Sequence, residues 1–177
     1  LVPALIAAVS LGALGIALLA QYAGGLDPCV LCVYQRYAYL GAAGAGLIGV
    51  AVGGNPAARR LAVTAAGLAF LAGAGLAFFH VGVEQLWWRG TAECTAPALD
   101  PGASIADLRK QLLATKFAAC DQIPWSLFGL SIAGYNLLAS LAFAAASGLQ
   151  VIADFTNFNV VTSDTVTGSV TLRRESW

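Results

Sequence analysis

Four long apolar segments constrain this chain more than any other feature. A helix needs about 20 mainly apolar residues to cross a bilayer, and residues 3–23, 32–53, 61–83 and 125–147 each meet that length. Only 10% of the 177 residues are charged, whereas a soluble domain carries about 25%. The sequence therefore predicts an all-α membrane protein, a four-transmembrane-helix bundle surrounded by membrane lipid. The net charge is zero, which gives no reason to expect a nucleic-acid partner.

The connections between these segments predict the orientation. The short second connection carries Arg59 and Arg60, and basic residues in short loops stay in the cytoplasm. The first connection (24–31) and the long third one (84–124) then face outward. Both contain cysteines. We therefore expect both cysteine loops on the outer side of the membrane and the C-terminus in the cytoplasm.

Two further segments have patterns of their own. Residues 104–117 have an apolar face at helical spacing, which predicts a short amphipathic helix within the long outer loop, lying on the membrane surface. Residues 151–177 alternate polar and β-branched residues, a pattern typical of strand and turn. We therefore divide the chain into a membrane domain (1–150) and a strand-like tail (151–177), for which an appended or a disordered segment is the alternative and to which we assign no function.

The four cysteines form two different pairs. Cys29 and Cys32 make a CxxC motif, in which a thiol pKa can fall well below its usual value, and we expect Cys32 to open the second helix. Cys94 and Cys120 lie in the long loop, where an exposed disulfide can be attacked by another protein's thiolate. Metal binding and purely structural disulfides are the alternatives, although no histidine-rich cluster accompanies the cysteines. We predict redox chemistry and no metal.

Polar residues near the CxxC motif are candidates for binding a small redox cofactor. Arg36 lies one helical turn after Cys32, and a charge inside a span usually marks function, although its side chain could instead extend to the interface. Gln35 adds a further polar contact. His80, the single histidine, and Glu84 are four residues apart at the outer end of the third segment. His80 could move a proton or serve only a structural role.

The stretch Pro28-Cys29-Val30-Leu31-Cys32-Val33-Tyr34-Gln35-Arg36 resembles the PCxLCxxxR signature of the bacterial disulfide-bond formation protein B (DsbB) family. Four spans with a CxxC between the first two and two cysteines between the last two also resemble this family. The segment from Pro124 to Asn136 is similar to the family's fourth helix. The resemblance covers residues 3 to 150.

The resemblance implies a location and a reaction. The chain would sit in the bacterial inner membrane with its cysteine loops in the periplasm. Cys94–Cys120 would oxidise a soluble thioredoxin-like partner of the DsbA type, with Cys94 the sulfur attacked. Cys29 and Cys32 would re-oxidise the loop pair through a Cys29–Cys120 disulfide. Cys32 would then pass the electrons to ubiquinone or menaquinone beside Arg36.

Two other functions are weighed against this one. A vitamin K epoxide reductase-like enzyme shares the four spans and the quinone-type chemistry, but its CxxC follows the loop pair, whereas here the CxxC comes first. A non-catalytic membrane scaffold would use its disulfides only to brace the outer loops. Such a scaffold has no need for Arg36 beside a CxxC motif.

Overall fold

Four long helices contain most of the residues that the structure describes. A computed structural model describes residues 1–94, 104–107, 109 and 118–174, with residues 157–174 described as backbone only. Its elements are α1 (Val2–Tyr22), α2 (Val30–Ala51), α3 (Pro56–Glu84), a 3-10 turn (Ala92–Cys94), β1 (Ser126–Leu127), β2 (Leu130–Ser131) and α4 (Ile132–Arg174).

Most of these helices could cross a membrane. By length and composition, Val2–Tyr22, Pro56–Glu84 and Ile132–Thr156 are long and apolar enough to do so. The structure thus confirms an all-α membrane protein. The helix α2 has 22 residues and packs between α1 and α3, but its first half carries Gln35 and Arg36. A fourth span through α2 stays a prediction.

Small residues let the helices approach closely, as they do in lipid. A side chain added at Gly46 of α2 would come within 2.7 Å of the Ala7 backbone nitrogen of α1. On the other side of the core, the Phe70 ring of α3 lies 5.8 Å from that of Tyr39 and 5.2 Å from that of Phe143. Large apolar side chains point outward, toward the predicted lipid: Leu19, Leu40, Leu47, Ile48, Leu61, Leu68 and Leu71.

Two helices begin away from the predicted positions because of local caps and turns. The helix α3 starts at Pro56, not at 61, since the Asn55 side chain accepts hydrogen bonds from the Ala57 and Ala58 N–H groups. The helix α4 starts at Ile132, not at 125. The residues before it form the β1–β2 hairpin, whose turn has positive φ at Phe128 and Gly129, as in a type I′ turn.

The expectation of strand and turn after residue 150 is wrong. The backbone remains helical to Arg174 as a continuation of α4. An established helix gains one hydrogen bond for each residue added, whereas two short strands form no stable sheet alone. The predicted amphipathic helix at 104–117 lies mostly outside the described residues, in which Ile105 to Asp107 are helical.

Candidate functional site

The first cysteine of the CxxC motif caps a helix. Cys29 is the N-cap of α2, in an extended conformation, and the Cys32 backbone N–H donates to the Cys29 sulfur at 3.3 Å. We expected Cys32 to open this helix. The structure instead gives that position to Cys29, and Cys32 lies inside the first turn. A negatively charged sulfur at the N-cap is stabilised by the N–H group and by the helix dipole.

Cys29 is buried among groups that stabilise its thiolate. It is 4% exposed; its sulfur lies 3.1 Å from the Cys32 sulfur and 3.5 Å from His80 Nε2. The hydrogen bond from the Cys32 thiol, followed by the bond from His80, lowers the pKa of Cys29 below its usual range, although burial opposes this shift. The N-cap position and these contacts therefore favour the thiolate form of Cys29.

The second cysteine pair lies against the first. Cys94 and Cys120 form a disulfide that is buried in one cluster with Cys29, Leu31 and Val83. Cys94 ends the 3-10 turn. The Tyr34 hydroxyl of α2 donates to the Glu93 carboxylate at 2.7 Å beside it. All four predicted redox cysteines therefore meet at one end of the bundle.

The two predicted polar residues of α3 join this cluster. His80 is 3% exposed, and its Nδ1 lies 3.1 Å from the Gln35 amide nitrogen. Its Nε2 is 3.9 Å from the Glu84 carboxylate, which also accepts a hydrogen bond from the Ser131 hydroxyl. The side chains of α2, α3 and the start of α4 thus meet in a buried polar cluster.

Arg36 points toward α1. Its Nη1 donates to the Gln21 side-chain oxygen at 2.7 Å and its Nη2 lies 3.5 Å from the Ala17 carbonyl. These contacts hold the guanidinium against the last two turns of α1, and extension to the interface stays the alternative. It borders a cavity of about 680 Å³ between α1, α2 and α4 that also touches Cys32.

This cavity, which we call the Cys32 cavity, is mainly apolar. Leu14, Ala17, Leu26 and Ile132 contribute to its walls. Its polar and aromatic lining residues are Asp27, Cys32, Gln35, Arg36, Tyr39, Trp125, Tyr135 and Asn136. A concave apolar space with a few polar groups is typical of a small-molecule site. Its composition suits a lipid-soluble ring that carries hydrogen-bond acceptors.

Sequence reasoning missed several polar residues of the site. Gln21, Ser131, Asn136 and Ser140 bond to Arg36, Glu84, Gln35 and Tyr39, respectively. Polar side chains are costly inside a span, so their positions in apolar segments were a usable signal. The sequence did not show which of them face the cysteines.

The cluster also offers ligands for a metal. The sulfurs of Cys29 and Cys32 and a ring nitrogen of His80 lie within 4.8 Å of one another. Cys94 and Cys120 are bonded to each other, so they are not ligands in this state. A site built from all four cysteines is therefore incompatible with this arrangement.

Comparison with known proteins identifies the family. The family model described as "Disulfide bond formation protein DsbB" matches residues 1–150. The chain belongs to the DsbB family. It is 32% identical over 149 residues to a disulfide bond formation protein B of Aromatoleum aromaticum, covering 82% of this chain and 87% of that protein. The corresponding protein of Chromohalobacter salexigens is 37% identical over 131 residues, covering 71% and 74%.

Membership of the DsbB family gives the coarse function. The chain is a membrane disulfide-bond formation protein with an oxidoreductase role, and its cysteine pairs are consistent with redox-active centres. This favours the redox enzyme over the vitamin K epoxide reductase-like enzyme and over the non-catalytic scaffold. The match ends at residue 150, close to where the strand-like composition begins.

Proposed function

We propose that this protein re-oxidises a periplasmic thioredoxin-fold dithiol oxidase of the DsbA type and passes the electrons to a membrane quinone. It would do so in the bacterial inner membrane, with both cysteine loops in the periplasm. The observation that carries the proposal is the alignment of the Cys94–Cys120 disulfide, the Cys29 and Cys32 thiols and the Cys32 cavity at one end of the bundle.

The first exchange takes place at the loop pair. A partner thiolate attacks the Cys94–Cys120 disulfide, and the partner's second thiol then closes the partner's own disulfide. Cys94 and Cys120 are left as thiols, having taken up two electrons. In the described residues Cys94 is 6% exposed and Cys120 is fully buried, which supports Cys94 as the sulfur attacked.

The second exchange joins the two pairs. Starting from a Cys29–Cys32 disulfide, the Cys120 thiolate attacks Cys29 and releases Cys32, and Cys94 then displaces Cys29 to restore the loop disulfide. Cys29 and Cys32 end as thiols. A loop disulfide beside two free thiols is also the arrangement in the structure, and the shared burial of Cys29, Cys94 and Cys120 supports a short transfer.

The residues of the Cys32 cavity fit a quinone. A quinone supplies a two-electron, two-proton acceptor that returns Cys29 and Cys32 to the disulfide. Arg36 would hold it, because a guanidinium donates hydrogen bonds to carbonyl oxygens and stabilises negative charge. The apolar walls exclude water, and Cys32 lies at the edge of the same cavity.

His80 supports the thiolate form of Cys29 next to the loop disulfide. The His80 ring faces the Cys29 sulfur through Nε2 at 3.5 Å, so an N–H at that nitrogen can stabilise a thiolate there. The loop disulfide is the nearby partner for exchange.

Anaerobic turnover tests the proposal. The purified protein in detergent is given a reduced thioredoxin-fold dithiol protein and a short-chain ubiquinone, and quinone reduction is followed. We expect turnover in the wild type, none in Cys32→Ser, and a much higher quinone requirement in Arg36→Ala. A folded wild type that oxidises neither dithiol nor quinone, with menaquinone analogues tried as well, would contradict the proposal.

A further inference from the structure

A row of side-chain hydrogen bonds leads from Cys29 across three helices. The Cys29 sulfur faces His80 Nε2, His80 Nδ1 faces the Gln35 amide nitrogen, and the Gln35 oxygen accepts from the Asn136 amide. Gln35 is 6% exposed and His80 is 3% exposed, so solvent does not compete strongly for these bonds. The donor and acceptor roles along this row therefore affect which ring nitrogen of His80 carries a proton.

The direction of these bonds decides the tautomer of His80. Asn136 donates its NH2 group to the Gln35 oxygen, which leaves the Gln35 NH2 group for His80 Nδ1, at 3.1 Å. A nitrogen that accepts a hydrogen bond carries no proton. In the neutral ring the proton then lies on Nε2, the nitrogen that faces the Cys29 sulfur.

The orientation of Asn136 is itself supported. Its side-chain oxygen accepts from the Ser140 hydroxyl one turn later on α4, at 3.4 Å. The Ser140 hydroxyl also lies 3.2 Å from the Tyr39 hydroxyl. With its oxygen engaged by Ser140, Asn136 presents its NH2 group to Gln35.

We propose that Asn136 is a positioning residue which, through Gln35, determines the nitrogen of His80 that carries the proton and so keeps an N–H donor directed at Cys29. This inference rests on the proposed function, in which Cys29 must act as a thiolate. Asn136 itself exchanges no proton or electron. It lies on a different helix from both Cys29 and His80.

Other groups face the same ring and sulfur, and none of them replaces Asn136 in this role. Cys32 and its backbone N–H contact Cys29 directly, and the Cys120 backbone lies near His80. The Glu84 carboxylate lies on the Nε2 side of the ring at 3.9 Å. In the described residues, the partner of Nδ1 is Gln35.

Replacing the Asn136 amide by a carboxylate should exchange the donor and acceptor roles along this row of hydrogen bonds. The introduced carboxylate could only accept, so Gln35 would have to turn its NH2 group toward it and its oxygen toward His80. A ring nitrogen that faces an oxygen acceptor must carry a proton. Asn136→Asp is thus expected to move the proton to Nδ1 with little change in side-chain volume.

The single histidine makes this measurable. The ring nitrogens of ¹⁵N-histidine-labelled, reduced full-length protein in detergent micelles give NMR signals that come from His80 alone. We expect an unprotonated Nδ1 in the wild type and a protonated Nδ1 in Asn136→Asp. Ser147→Ala is the matched control. Its hydroxyl is also buried on α4 but bonds to the Phe143 carbonyl of its own helix, so we expect no change.

Two further variants keep the test decisive. Gln35→Glu puts an acceptor directly beside Nδ1 and should protonate it, which checks that the signal responds. If Asn136→Asp does not fold, Asn136→Leu frees the Gln35 amide to turn and should give both tautomers. An unprotonated Nδ1 in every folded Asn136 variant, or a protonated one in the wild type, overturns the proposal. No quinone or partner is present, so this failure is distinct from a failure of turnover.

Discussion

The two ends of the bundle use the same helices for different purposes. At the cysteine end, α2 and α3 turn Cys29, Gln35, His80 and Glu84 toward one another. Toward the opposite end, the same two helices meet through small apolar residues such as Ala42 and Ala66, both fully buried. Among the described residues, the buried polar side chains of these two helices therefore lie at the end where the sulfurs are. Substitutions at the cysteine end should change chemistry, and those at the opposite end should change stability.

The largest effect is expected at the helix cap. Cys29→Ser removes the sulfur that the second exchange requires, so turnover should fall to background, a loss of at least about 10³-fold for a residue that reacts covalently. The helical content should be unchanged. Steady-state quinone reduction with circular dichroism checks both, and Ser10→Ala, a buried hydroxyl on α1, should keep full activity. Residual turnover in Cys29→Ser would contradict the assignment of the chemistry to the cysteine end.

A smaller effect is expected at the arginine that borders the Cys32 cavity. Arg36→Gln loses a charged hydrogen-bond donor worth about 1.5–3 kcal/mol, so the quinone concentration for half-maximal rate should rise roughly 10- to 100-fold. Arg59→Gln is the control, because Arg59 pairs with Asp154 at the opposite end. An equal rise in both variants would show that charge loss acts through the fold.

The pH dependence of Cys29 alkylation tests whether His80 lowers the pKa of this thiol at the cysteine end. Its depressed pKa means that the reactive thiolate persists below the pH at which an ordinary thiol becomes protonated. His80→Phe removes one of the groups that lower this pKa, so alkylation of Cys29 should begin at higher pH. The rate of iodoacetamide labelling in the reduced protein, followed by mass spectrometry, checks this shift. An unchanged pH profile of alkylation in His80→Phe would contradict a stabilising contact between His80 and the Cys29 sulfur.

The smallest effect on turnover is expected where the helices pack. Gly46→Val forces atoms against Ala7 and Pro3, and overpacking of this kind costs about 1–3 kcal/mol. Gly44→Val is the matched control on the same helix, because nothing lies within 4 Å of an added side chain there. Thermal unfolding should separate the two variants, while turnover per folded molecule stays equal. A loss of turnover per folded molecule in Gly46→Val would contradict the expectation that this packing contact affects stability alone.

Local patterns predicted more of this molecule than long-range ones. The CxxC motif and the charge at Arg36 indicated the end of the bundle at which the four cysteines meet, because each is a short pattern with its own chemistry. The meeting of Gln35, His80 and Asn136 depends on the rotation of three helices about their axes. Apolar segments with glycine on several faces do not determine that rotation.

The element boundaries that were predicted incorrectly also have physical explanations. A hydropathy pattern marks where a segment is apolar, whereas Asn55 starts α3 by capping its N–H groups in a polar connection. The composition of residues 151–174 favours strands, but a strand needs a partner and a helix does not. The chain there continues a helix that is already formed.

The most direct test of the central claim is a count of electrons in a single anaerobic cycle. All four cysteines are reduced, the reductant is removed, quinone is added, and quinol and disulfides are counted together. The account predicts one quinol for each new disulfide, with Cys29–Cys32 formed before Cys94–Cys120 and no quinol in Cys32→Ser. Disulfides that form without quinol, or a loop pair oxidised by quinone in Cys32→Ser, would contradict it.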